Sequence, residues 1–472
     1  MLRLGGFVVC AALTLFSSSE AWSQAVSSTV VFSEPGFPSD GTTPIPSDQV
    51  VKLLPNARGA NAEQLKAELT NPDTKLLILA YGSAFPEADW AEIFGFLKRG
   101  GNLLAVGGRP FTRSAYKDPT GWHLRQYSVR FLRQLLIDQY QEAPGSDGLE
   151  FHSNADLGTN IPKFAWRKSF SPVIRLSAVD LYARGGSAGS IDARLDALAF
   201  GTRGDRRMAA PILQVDHLQN GFNGGRWILV PAELSNDFAS RSETSGIVRT
   251  LAEQALQGSE SFTVRPIMAL YLPGEPVEAQ ILWNGLGKNA TNLIVKIAMF
   301  PEDQPIKRTE AVATLPALLP LQLAAPAEKG FHVIEAQLLE GNTVRRIYRS
   351  GFWIRDLDYL KSGPRLSVNH DFFELDGKPL AVVGTTYMSS EVQRLYFEHP
   401  NVYVWDQDLA QIHGAGLNMI RSGWWTGWDK FFDENGQPYE RTLRTMEAFL
   451  MTARKHELPV QFNFFAFLPE EM

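Results

Sequence analysis

Cysteine is nearly absent. The chain of 472 residues holds one, Cys10, inside a segment read below as an export signal. A single cysteine excludes an internal disulfide framework. With residues 1–25 removed, a thiol nucleophile and a thiolate metal site are excluded too. Stability must then come from cores large enough to hold by burial alone. A basic excess is also missing. Lys and Arg number 45 against 51 Asp and Glu, for a net charge of −6, which argues against nucleic-acid binding, where a cationic face must displace counterions from phosphates. Bulk disorder is excluded by an apolar fraction of 44% and a charged fraction of 20%, the values of ordinary globular protein. Beyond the N-terminus no apolar run reaches membrane-spanning length. No metal-ligand cluster, phosphate loop or Ser/His/Asp set is visible, so no metal and no cofactor is expected.

What is present starts with the N-terminus. Arg3 precedes an uncharged apolar stretch, Gly6 to Phe16, and small residues lead to a cleavage site at Ser23-Gln24-Ala25, the layout of a secretory signal. Cleavage after residue 25 would leave a secreted or periplasmic chain with no membrane attachment. An uncleaved anchor is the alternative reading.

Three regions follow. Residues 26–258 alternate strand-like and helix-like segments. Lys75 to Ala80 and Leu103 to Val106 are short apolar runs that read as buried strands. Between them Pro86 opens a helix that presents Trp90, Ile93, Phe94 and Leu97 at helical spacing and stops at Gly100-Gly101, which makes a strand–helix–strand unit of a parallel sheet. A long amphipathic helix is predicted from Tyr127 to Tyr140, a strand from Trp227 to Pro231 and a closing helix from Ser242 to Leu256. Residues 259–356 carry about seven β-type runs and turn signals without a long helix, the pattern of a β-sandwich. Asn289-Ala290-Thr291 matches an N-glycosylation acceptor, a triplet that also arises by chance.

Residues 366–472 return to α/β alternation. Asp376-Gly377 makes a tight turn. Leu380 to Gly384, Leu417 to Arg421 and Leu458 to Phe462 read as buried strands, and helices over Asp406 to His413 and Thr442 to Lys455 lie between them. Helical crossovers impose parallel pairing, and three strands with two helices in this length match the opening of a (β/α)8 barrel.

Each region resembles something known. The first is similar to the class I glutamine amidotransferase-like domain, a flavodoxin-like α/β fold used as an accessory unit in some bacterial glycosidases. At the sharp turn where an amidotransferase needs its cysteine, the chain has Gly107-Gly108-Arg109, so that chemistry is not expected, and the glycines are read first as turn formers. The second, through Leu272 to Asn284 (LPGEPVEAQILWN), resembles immunoglobulin-like sandwiches that precede glycoside hydrolase barrels. The third resembles clan A glycoside hydrolases, the β-galactosidase and cellulase-like barrels. The matching pieces are F-x-x-D-G-K-P-x-x-x-x-G-x-x-Y from Phe373 to Tyr387, D-L-x-x-I-H-G-A-G-L-N-M-I-R from Asp408 to Arg421, and Ala453 to Val460.

The fold class implied is an amidotransferase-like α/β domain, an immunoglobulin-like β-sandwich and an incomplete (β/α)8 barrel of three strands. The function implied is hydrolysis of O-glycosidic bonds in a β-linked saccharide, with a carbohydrate as partner. The clan places an Arg at the end of the second strand to keep a nucleophilic carboxylate ionised and oriented, and Arg421 matches it. A structural Arg paired with an acidic loop residue is the bland alternative. Trp424 and Trp425, with Trp428 nearby, either stack on a sugar ring or pack their loop. Tyr387 and Asn463 follow strands one and three at the same end and are expected to bind substrate. His413, at the end of a helix before Gly414, is read as a capping or surface residue and not as a ligand. No catalytic residue is assigned, because the clan's acid/base and nucleophile follow strands four and seven, beyond Met472, and Glu470 and Glu471 do not stand in for them. The competing expectation is a non-catalytic secreted carbohydrate-binding or scaffold protein. Oligomeric state has no sequence signal.

Overall fold

The structure is a computed structural model that describes residues 28–42, 45–54, 57–175, 192–285, 290, 292–425 and 428–464, the side chains of residues 428 and 429 excepted. The export signal with Cys10, the acceptor residues 289 and 291, the Trp428 side chain, and Glu470 and Glu471 lie outside the described residues.

The first region is built on an eight-stranded sheet. Its strands are β1 (Thr29–Phe32), β2 (Arg58–Ala60), β3 (Leu76–Leu79), β4 (Asn102–Val106), β5 (Glu150–Ser153), β6 (Ala193–Arg203), β7 (Arg206–His217) and β8 (Arg226–Val230), in the order β2-β1-β3-β4-β8-β7-β6-β5. The first five in that order pair in parallel and the last three antiparallel. Among themselves the parallel strands run 2-1-3-4-5, one of the two common doubly wound orders. Both faces are covered. Val30, Phe32, Leu77 and Leu79 pack against Leu65 and Leu69 of α2 (Ala62–Thr70) and Ile93 and Leu97 of α3 (Trp90–Lys98). Val31, Leu76 and Ile78 face Val50 of α1 (Ser47–Leu53) and Ile247 and Leu251 of α4 (Ser242–Leu256). Burial on both faces is why these strands read as continuous apolar runs.

Two local expectations fail here. The helix predicted over 127–140 is one turn, Arg130–Gln134, followed by a strand, Ile137–Ala143. Leu136 takes a left-handed backbone with φ 61°, and the strand then pairs antiparallel with Trp166–Ile174; sheet pairing overrides the helical spacing of Leu132 and Leu135. Pro86 opens no helix. It closes a short strand, Ala84–Pro86, paired with Arg113–Ala115, and α3 starts at Trp90. Gly107-Gly108 serves close packing, since a Cβ on Gly108 would lie 2.6 Å from the Asp40 carbonyl oxygen.

The second region is two sheets sharing one core. Strands β9 (Glu260–Pro266), β10 (Leu270–Tyr271), β11 (Val277–Gly285), β12 (Leu293–Pro301), β13 (Thr309–Thr314), β14 (Leu321–Leu323), β15 (Gly330–Glu340) and β16 (Thr343–Ile354) form the sheets β9-β11-β14 and β10-β16-β15-β12-β13. Phe262, Val264, Ala279 and Ile281 of the first meet Val295, Ile297, Ile334 and Phe352 of the second.

The third region holds a parallel sheet of β17 (Gly384–Thr386), β18 (Met419–Gly423) and β19 (Val460–Asn463), joined by α5 (Val402–Gly414) and α6 (Glu440–Lys455). The first strand is shorter and later than predicted, and it is exposed rather than buried. Val382 and Val383 are 43% and 56% exposed. The Asn418 side chain takes their backbone groups, accepting from Val383 N–H and donating to the Ala381 carbonyl, both at 2.8 Å.

Buried charges tie the regions together. Arg346 on β16 reaches Asp196 of β6 and lies 3.6 Å from Asp216 of β7, which Arg226 of β8 holds at 2.6 Å. Arg346, Asp216 and Arg226 side chains are 3%, 0% and 3% exposed, so each charge depends on its partners for the solvation that burial removed. At the other junction Glu391 accepts from Arg265 at 3.0 Å, Tyr348 at 2.7 Å and Asn401 at 3.0 Å. Burial alone would push the Glu391 carboxyl up; Arg265 and Arg194, with the Tyr348 and Asn401 hydrogen bonds, hold it below its ordinary value. Burial likewise opposes ionisation of Asp196, and Arg194 and Arg346 outweigh it.

Replacing Arg346 with Met removes the cation shared by Asp196 and Asp216 and leaves each with its own guanidinium, Arg194 and Arg226, so about 1–3 kcal/mol of stability should be lost, read from the urea unfolding midpoint. Depressed carboxyls also set a pH dependence. The unfolded chain takes up protons at higher pH than the folded one, so this stability is complete above the ordinary carboxylate range and drains as pH falls through the lowered folded values. Melting temperature should hold from about pH 7 to 5 and fall below about pH 4.

Candidate functional site

The carboxyl ends of β17, β18 and β19 lie together, and they carry the residues singled out from the sequence. Side chains alternate across a strand, and the register decides which share a face. Thr386, Arg421 and Gln461 are aligned across the three strands, and Asn463 stands opposite Gly423. Thr386, Arg421 and Gln461 are exposed, while Ile420 and Ser422 are fully buried on the opposite face. One face of the sheet is thus polar and open, and on the other β18 packs on α5 and α6 through Ile420.

The packed face explains why the strands stand where they do. Asn401 caps α5 by accepting from Val404 N–H at 3.3 Å. On α6, Thr445, Ala448, Phe449, Met451 and Thr452 are buried at helical spacing. Between helices and sheet lies an aromatic layer of Tyr396, Trp405 and Phe449, none more than 0% exposed. The Tyr396 hydroxyl reaches Ser422 Oγ at 2.6 Å and donates to the Gly423 carbonyl at 2.9 Å; burial pushes its pKa up to about 12. Gly423 has no room for a side chain, because a Cβ there would lie 2.1 Å from the Asn463 carbonyl oxygen. That close approach lets β19 run tightly beside β18.

On the open face Arg421 and Asn463 meet. With the amide turned so that its oxygen faces the guanidinium, Asn463 accepts from Arg421 Nη2 at 2.6 Å and Nε at 2.9 Å. The guanidinium carbon also sits 5.1 Å from the centre of the Trp425 ring, within cation–π range. Two neighbours therefore orient Arg421 while its strand position keeps it exposed.

The remaining candidates lie inside the wall. Trp424 and Trp425 are each 3% exposed. Trp424 is ringed by Phe431, Phe432, Phe462 and Phe464 at centroid distances of 5.9, 5.0, 5.6 and 5.3 Å. Tyr387 is 3% exposed and donates to Asp408 Oδ2 at 2.9 Å. Burial, then the Asp408 charge, pushes its phenol well above the ordinary value. Burial also raises the Asp408 carboxyl, against the hydrogen bonds from Ser390 and Tyr387. His413 lies exposed in the last turn of α5. The open face thus brings together Arg421 and Asn463 and adds Gln461 and Thr386, which sequence reasoning missed. Period-two alternation back from Asn463 would have found Gln461. Among the described residues no group of three or more His, Cys, Asp or Glu could hold a metal ion.

No protein-family model matches the chain, and no curated protein matches it. Solved structures that match it in part include glycoside hydrolases. A β-glucuronidase from Bacteroides uniformis aligns over 43% of this chain and 23% of its own, with 16% identity and a TM-score of 0.19. A β-galactosidase from Bacillus circulans sp. alkalophilus aligns over 64% and 42%, with 12% identity and a TM-score of 0.28. A family 39 glycoside hydrolase from Bacteroides cellulosilyticus aligns over 43% and 34%, with 12% identity and a TM-score of 0.17. The chain therefore spans less than half the length of each. At such scores the likeness decides nothing about this chain's site.

The Tyr387 hydroxyl bears on an internal partner, so Tyr387→Phe should cost about 1 kcal/mol by leaving the half-buried Asp408 carboxyl with the Ser390 N–H but without that donor. Urea unfolding monitored by tryptophan fluorescence measures it.

Proposed function

We propose that this chain carries the opening β/α units of a secreted or periplasmic glycoside hydrolase barrel acting on O-glycosidic bonds of a β-linked, β-galactoside-like saccharide. In this reading residues 26–258 and 259–356 are its amidotransferase-like and immunoglobulin-like accessory domains. One observation carries it: parallel strands present Arg421, paired to Asn463, on an open polar face at their carboxyl ends, where barrel active sites are built.

The chemistry follows from that placement. A guanidinium on an open face supplies fixed donors for a carboxylate or a sugar hydroxyl, and its planar fork is held in one orientation by Asn463 and Trp425. The Asn463 amide and Gln461 add donors and acceptors of the kind that read hydroxyl groups. Trp424 and Tyr387 then serve as the wall that positions these groups, and Trp425 backs the guanidinium. The clan's paired carboxylates, about 5–5.5 Å apart in retaining enzymes, are not assigned to any residue of the three strands. The reading gives this polypeptide substrate-binding groups and no acid/base pair.

The test is titration of the polypeptide of residues 1–472 with lactose, followed by tryptophan fluorescence, beside an assay on an aryl β-galactoside. Saturable binding is expected, weakened about tenfold or more in Arg421→Met, since a charge-assisted hydrogen bond is worth about 1.5–3 kcal/mol. No aryl galactoside should be cleaved. Equal binding by residues 26–356 alone would replace this reading with that of a carbohydrate-binding module.

A further inference from the structure

A cavity lies away from the open face. It has a volume of about 320 Å³ and is lined by Gln280 of β11, the stretch Phe397 to His399, Lys430, Phe431 and, at the start of α6, Arg441, Thr442 and Thr445. Neither Arg421 nor Asn463 lines it. Such a volume is at the small end of ligand pockets, roughly 300–1,000 Å³.

Its charges are unevenly matched. Among the described residues Glu398 is the one carboxylate in the lining, and Lys430 pairs with it at 2.5 Å. Arg441 is exposed and donates to the Glu398 backbone carbonyl at 3.1 Å; no carboxylate lies within 4.0 Å of its guanidinium among the described residues. With Glu398 already neutralised, Arg441 leaves the cavity with an unbalanced cation beside the His399 imidazole. Helix α6, sixteen residues long, begins here without a capping side chain, so the positive end of its dipole is added to the same place. A second observation is independent of charge. Thr445 is 1% exposed, and its hydroxyl has no hydrogen-bond partner among the described residues. A buried hydroxyl left unpaired is costly, and this one belongs to a residue that lines the cavity.

We infer that this cavity binds a small ligand through an oxyanion group, with Arg441 supplying the cation and Thr445 the buried hydroxyl. The Phe397 and Phe431 rings supply apolar lining. The chemistry shared by the ligands that fit is a carboxylate, sulfate or phosphate group on a body no larger than a monosaccharide. The site is separate from the proposed saccharide face, so either can fail without the other.

The experiment is calorimetric titration of the full chain with sodium sulfate, sodium glucuronate and glucose at constant ionic strength. Saturable binding of sulfate or glucuronate is expected, with none for glucose. Tighter glucuronate binding identifies the ligand as an acidic sugar or similar organic acid, and tighter sulfate binding as a free oxyanion. Arg441→Gln should weaken the binding about tenfold, the loss of one charge-assisted contact. Thr445→Val should weaken it several-fold and at the same time raise the melting temperature of the ligand-free protein, because it removes an unpaired buried hydroxyl. A structural role for Thr445 would lower that temperature. Absence of saturable binding by both anions, or affinity unchanged in both variants, overturns the inference.

Discussion

Arg346 is the residue on which the assembly of this chain turns. It leaves a strand of the sandwich and enters the sheet of the first region, where Asp196 and Asp216 meet it and Arg194 and Arg226 complete the balance. Charges this deeply buried have few acceptable arrangements, since each carboxylate must find its guanidinium at hydrogen-bond distance. Apolar surfaces tolerate sliding; this set does not. Glu391 repeats the arrangement at the next junction, holding β9 and β16 to the loop before α5 through Arg265, Tyr348 and Asn401. Asn401 is also the cap of α5, so the residue that starts the helix is the one that anchors it.

That anchoring passes to the candidate site through packing. Trp353 of the sandwich donates to Thr452 of α6 at 2.9 Å, and α5 and α6 cover one face of the parallel sheet. Once that face is fixed, alternation alone sends Arg421 to the other. Asn463 arrives beside it because Gly423 lets the neighbouring backbone approach. The polar open face is therefore a consequence of how the covered face is held. The oxyanion cavity has the same origin, since Gln280 of the sandwich and the first turn of α6 meet there.

Much of this was legible in the sequence. The α/β, all-β, α/β succession could be read from periodicity, as could the closing helix from Ser242 to Leu256, and helical crossovers implied parallel pairing of the last strands. Arg421 and Asn463 could be named because the resemblance to clan A barrels implies polar groups at the ends of the second and third strands, and the apolar runs located those ends. The failures share a cause. Residues 127–140 have helical spacing, yet Ile137 to Ala143 finds a strand partner thirty residues downstream. Leu380 to Gly384 looks like a buried strand, yet Asn418 satisfies its backbone groups first. Trp424, Trp425 and Tyr387 were placed at the correct strand ends, but burial by Phe431, Phe462 and Phe464 or a bond to Asp408 is invisible to a local pattern.

By itself, the sequence determined composition-level limits and local order: no disulfide framework, no basic excess, the order of apolar runs, and the glycines and caps that end them. These follow from residue chemistry within a few positions of one another. Only the tertiary structure decided which side chains are exposed, which charges pair across regions, and that Arg421 meets Asn463 while the buried Thr445 hydroxyl finds no hydrogen-bond partner among the described residues. Such facts depend on strand register and on contacts between residues more than a hundred positions apart, where the chain carries no short-range signal of its partner.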